Sequence, residues 1–60
     1  MTWNEVRREA VSAGFEFVRH GKKHDQFRHP ETGRMIQIER HWSQEVRPGL
    51  LNVLQKVIGF

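Results

Sequence analysis

Three runs of six residues, Phe15–His20, His24–His29 and Arg34–Glu39, step between apolar and polar positions in the manner of strands, and glycine- or proline-bearing turns separate them. A period of two belongs to strands with one dry and one wet face. Gly21–Lys23 is short enough to close a hairpin. Pro30–Glu31–Thr32–Gly33 pre-sets a turn at its first corner and permits a positive φ at its end. The middle of the chain is therefore constrained to an antiparallel meander of three strands. If Phe27 points to the core, Asp25 and His29 share its side. His24, Gln26 and Arg28 then face away, and strict alternation in the first strand sets His20 on that same open face, opposite His24.

Three short strands with one apolar face need a cover, and the ends of the chain supply it. Thr2 and Glu5 have the spacing of a capping box. Trp3, Val6, Ala10 and Ala13 then recur at intervals of three and four, and Gly14 suits the left-handed residue that closes a helix. These signals predict a helix over residues 3–13. Pro48 is a good first helical residue because its missing amide hydrogen would have no partner there. Leu50, Leu51, Leu54, Val57 and Ile58 form a broad apolar face, and Gly59 ends that helix. Arg40–Val46 has no clear period and reads as a loop. The expected fold is α+β, in the order α-β-β-β-α, with two helices on one face of a three-stranded antiparallel sheet.

Sixty residues support one small core, so residues 1–60 read as a single domain of modest stability. The chain has no cysteine, which removes disulfides and thiolate metal sites. No run approaches the ~20 apolar residues of a membrane span, and the N-terminus lacks a basic start followed by an apolar stretch. A cytoplasmic protein with no membrane partner is the expectation. Between Arg19 and His41 six basic residues oppose three acidic ones, an excess equal to the net charge of +3 for the whole chain. All four histidines lie in the same stretch, three of them between His20 and His29. A positive, histidine-rich middle between two neutral ends suits a polyanion. The histidines have no cysteine or carboxylate at ligand spacing, so neither a zinc site nor a cofactor is expected.

The run of motifs resembles one family almost from end to end. Ala13-Gly14-Phe15 closes the first helix, a strand leads into Gly21, and Lys23-His24-Asp25 leaves the turn. Phe27-Arg28-His29-Pro30, Arg40-His41 and Pro48-Gly49 follow in order, before a helix ending in Ile58-Gly59. In order and spacing these are similar to the HicA family of small toxins, formerly called YcfA-like, from bacterial toxin–antitoxin pairs. The resemblance implies a double-stranded-RNA-binding-like fold, messenger RNA cleavage without a metal, and a HicB-type antitoxin that covers the active site. It also implies a catalytic histidine just after the glycine turn, which falls here on His24, with the turn glycine on Gly21. The chain departs from the family pattern at Lys22 and Lys23, where glycine or serine is common, and at Glu39, where proline is common.

The residue chemistry agrees with that assignment. Attack of RNA by its own 2′-hydroxyl needs a base, and an exposed imidazole, which titrates near pH ~6.5, serves as base or acid around neutrality. His24 is the expected catalytic residue. Gly21, Lys22, Lys23, Arg28, Arg40 and His41 are the expected RNA-binding residues. Asp25 points away from His24 and is not expected to orient it. A second proton-transfer group is not identified; His20, His41 and water are the candidates. Trp42 is placed to stack on a base or to cover a helix edge. Two other functions fit the same fold: a non-catalytic RNA-binding module, and a protein-binding domain that uses the open sheet face.

Overall fold

The computed structural model describes residues 1–60 and has the expected element order. Helix α1 (Trp3–Ser12) is followed by strands β1 (Glu16–His20), β2 (His24–Arg28) and β3 (Met35–Glu39), then helix α2 (Pro48–Ile58). The strands form one antiparallel sheet in the order β1-β2-β3.

Both helices begin and end where the local chemistry directs. The Glu5 amide donates to the Thr2 hydroxyl and the Thr2 amide donates to the Glu5 carboxylate, completing the capping box. The Thr2 amide and then its hydroxyl donate to the Glu5 carboxylate and hold that carboxyl below its ordinary pKa. At the other end Gly14 takes φ +103°. Its amide donates to Val11 and the Phe15 amide to Ala10, the paired bonds that satisfy the last carbonyls of a helix and turn Phe15 into the core. In α2 Pro48 occupies the first turn and Gly59 ends the helix with φ +92°.

The core is one cluster. Phe27, Ile36 and Ile38 rise from the sheet to meet Trp3, Val6 and Ala10 of α1 and Leu54 and Ile58 of α2, with Phe15 and Val46 closing its edges. Both helices therefore lie on one face. Val46 is buried although it sits in the 40–47 connection, which is no slack crossover. The amides of Trp3 and Asn4 donate to the carbonyls of Gln44 and Trp42, and Thr2 bridges to Glu45. The connection thus satisfies two of the unpaired amides at the start of α1.

Two expectations need correction. Strict alternation in β1 fails at Val18, where a bulge sets two residues against one. Beyond it Arg19 pairs with Gln26 and His20 with Asp25, so every later side chain changes face. His20 therefore lies on the helix side with Asp25, not on the open face opposite His24, and Arg19 takes its place there. Phe17 shares the inner side with Phe27 but stays 50% exposed, because the helices stop short of edge strand β1. In α2 the inward stripe is Leu51, Leu54, Val57 and Ile58; Leu50 falls outside it and is exposed with Val53.

Candidate active site at the hairpin end of the sheet

His24 opens β2, immediately after the Gly21–Lys23 turn, and its side chain is about two-fifths exposed. Its parity is outward, so the ring stands on the face that the helices leave bare. Its cross-strand neighbour is Glu39 of β3, whose carboxylate lies 3.6 Å from Nε2. That distance supports an ion pair once the ring is charged and lies beyond a hydrogen bond when it is neutral. Further along the face, Arg19 donates from Nε to the side chain of Gln26 at 3.2 Å. Arg28 is exposed with no carboxylate partner. It stands four residues from His24, about 13 Å along the strand.

The turn before His24 is closed tightly. The Gly21 amide donates to the His24 carbonyl at 2.6 Å. A side-chain carbon at position 21 would sit 3.0 Å from that same carbonyl oxygen, so any larger residue here has to displace the strand start by a few tenths of an ångström. Lys22 and Lys23 are exposed, and neither ammonium has a hydrogen-bond or ion-pair partner. Both are free to meet phosphate.

Behind the turn stands a cluster that the sequence did not announce. Asp25 is the one charged residue in the buried class, 5% exposed. Its Oδ1 accepts from Arg40 at 2.9 Å and lies 2.6 Å from Nδ1 of His20. The same guanidinium donates from its other nitrogen to the carbonyls of Gly21 at 3.0 Å and Lys22 at 2.8 Å. Burial pushes the Asp25 carboxyl up, but the hydrogen bonds from His20 and then Arg40 outweigh it and leave the pKa below the ordinary carboxylate value. Asp25 makes no contact with His24, as its inward parity required. Arg40 thus fastens the end of β3 to the turn that presents the lysines and His24.

Of the residues expected to bind RNA, the structure gathers Gly21, Lys22, Lys23 and Arg40 around His24. Arg28 lies at the far end of β2. His41 is exposed and lines a polar hollow with Gln44, Glu45 and Glu39, the last of which it shares with His24. His29 is structural: its Nδ1 accepts from the Glu31 amide, and its Nε2 therefore donates to the Ala13 carbonyl at 3.2 Å. Sequence reasoning missed the facing of Arg19, which depends on the bulge. It also missed the Arg40–Asp25 pair, although an acid at an inward strand position was itself a demand for a buried cation. No group of histidine and acid side chains has the arrangement of a metal site. No helix is long and apolar enough to cross a membrane.

A comparison with curated proteins gives no match. A family model described as the HicA toxin of bacterial toxin–antitoxin systems matches residues 3–60.

Proposed function

This chain belongs to the HicA toxin family, which makes it the toxin of a toxin–antitoxin pair with an antitoxin as partner, and we propose that it acts by cutting messenger RNA without a metal, with His24 as the proton-transfer residue. The antitoxin is of the HicB type and works by covering this face. The observation that carries the reading is His24 itself: a half-open imidazole on the bare face of the sheet, next to two unpaired lysines and across from a carboxylate.

Phosphate oxygens lie against Lys22 and Lys23, and the next phosphates along the strand approach Arg28 and Arg19. His24 takes the proton of a 2′-hydroxyl. The freed oxygen attacks the adjacent phosphorus and the bond to the 5′-oxygen breaks. The products are a 2′,3′-cyclic phosphate and a 5′-hydroxyl, whose proton comes from water or from a second group. Glu39, 3.6 Å from Nε2, faces the positive charge that the ring acquires in the first step. It also repels phosphate, which favours an approach from the lysine side of the ring. Arg40 acts behind this surface by holding the turn in shape.

The test is a long single-stranded RNA incubated in EDTA with wild type and with a folded His24→Gln variant. Cleavage by wild type and at least a hundredfold loss in the variant is the expected result. Equal cutting by both proteins would remove His24 from the chemistry. Binding by both with cutting by neither would favour the non-catalytic module.

A further inference from the structure

The bulge at Val18 and the short reach of the helices leave an open groove on the opposite side of the sheet from His24. Its volume is about 810 Å³. Phe15 and Phe27 form an apolar floor, and both are nearly fully buried. Phe17 and Trp42 stand on the rim, 50% and 37% exposed. Arg7 lies with its guanidinium 5.6 Å from the centre of the Trp42 ring. At the turn end of the groove His20 packs against Phe17 with ring centroids 4.7 Å apart. Its Nδ1 is engaged by Asp25, while Nε2 has no partner. Asp25 also lines the groove, and both of its bonds fall on Oδ1, so Oδ2 has none.

We propose that this groove binds one unpaired nucleobase of the RNA, a site distinct from the sheet face that carries His24; the inference rests on RNA being the ligand of this protein. Single-stranded RNA is held where aromatic faces lie next to cations and a few polar atoms can meet a base edge. The groove has each of these. Phe17 and Trp42 offer exposed aromatic surface, His20 and Asp25 offer unpartnered polar atoms beyond them, and Arg7, which lies over the Trp42 ring and donates to Asn4, stands at the rim with further N–H groups for a flanking phosphate. The charge argument favours nucleic acid over an apolar protein segment. Within the lining Arg7 is balanced by Glu16 and the Asp25 charge is met by Arg40, so the positive excess beside the groove is that of the unpaired Lys22 and Lys23 on the adjoining turn. A strand that crosses the turn between the two faces would present a base to the groove and a phosphodiester to His24.

The experiment uses the His24→Gln protein, so that binding is read without cleavage and the result does not depend on the chemistry assigned to His24. Trp3 is 3% exposed and Trp42 stands on the groove rim, so a bound base is reported by quenching of Trp42 fluorescence. The probes are a single-stranded RNA hexamer of mixed sequence and an abasic hexamer with the same phosphates. The intact hexamer should quench and bind more tightly; Phe17→Ala should weaken it about 5- to 100-fold, the range carried by one stacked base, and leave the abasic hexamer unchanged. Phe17 is outside the buried core, so this variant should keep its fold, and circular dichroism checks it. Equal binding of the two hexamers, or an intact-hexamer affinity unmoved by Phe17→Ala, overturns the proposal. Loss of antitoxin binding with RNA affinity unchanged overturns it in favour of a protein-docking groove.

Discussion

Replacing Arg40 with alanine tests the cluster behind the turn most directly. The substitution removes a charge-assisted bond to a carboxylate that is 8% exposed and two bonds to backbone carbonyls. Bonds with an ionised partner contribute about 1.5–3 kcal/mol each, those to the two carbonyls at the low end because they lie nearer solvent. Two facts reduce the sum. His20 still holds Asp25, and Arg40 is itself 35% exposed, so water replaces part of what is lost. A destabilisation of about 3 kcal/mol follows, at the lower edge of the 3–5 kcal/mol range for broken buried pairs. In a domain of this size that lowers Tm by on the order of 15 °C. The assay is thermal and urea unfolding by circular dichroism of wild type, Arg40→Ala, Asp25→Asn and the double variant. Asn keeps the shape of Asp25 and removes its charge, so alanine at 40 should cost at least about 1 kcal/mol less in that background. An Arg40→Ala protein within about 0.5 kcal/mol of wild type, or strict additivity of the two changes, would refute the reasoning.

Stability should also fall in acid. The folded-state pKa of Asp25 lies below its ordinary value, so between the two the folded form binds fewer protons than the unfolded one. The contribution of Asp25 is fully present above about pH 4 and is lost as pH falls through the folded pKa; acid titrations of wild type and Asp25→Asn followed by circular dichroism should converge at low pH. Gly21→Ala forces a carbon to within 3.0 Å of the His24 carbonyl oxygen. It should cost about 1–2 kcal/mol in urea unfolding and displace the strand start that carries His24, so the RNA cutting proposed above should fall further than the folded fraction does.

Features set by neighbours in sequence were legible, and features set by packing were not. The cap at Thr2, the glycine ends at Gly14 and Gly59 and the turn at Gly21 depend on a few adjacent residues, and each lies where the residues put it. The face of His24 was also legible, because Phe27 fixes the parity of β2 from only three residues away. His20 was misplaced because a bulge at Val18 arises from the fit of β1 to β2, which no local propensity encodes. The Arg40–Asp25 bond joins residues fifteen apart and becomes visible only when β3 is laid beside β2. Leu50 matched the apolar pattern of α2, but the covered arc is narrower than the pattern, so it stays in water.

The docking of the 40–47 connection onto the start of α1 bears on how the protein is made. The first turn of the first helix is closed by carbonyls of Trp42 and Gln44, and the apolar face of that helix meets Leu54 and Ile58. A chain emerging from the ribosome forms the Thr2 cap at once, yet the core that α1 shares with the sheet lacks Leu54 and Ile58 until α2 follows. Such late closure ties folding to the emergence of α2, which at ~5–20 residues per second takes some 3–12 s for a segment of this length. A polypeptide interrupted before Leu54 lacks the wall against which the hairpin is held, so stalled or truncated products should be harmless to the cell that makes them.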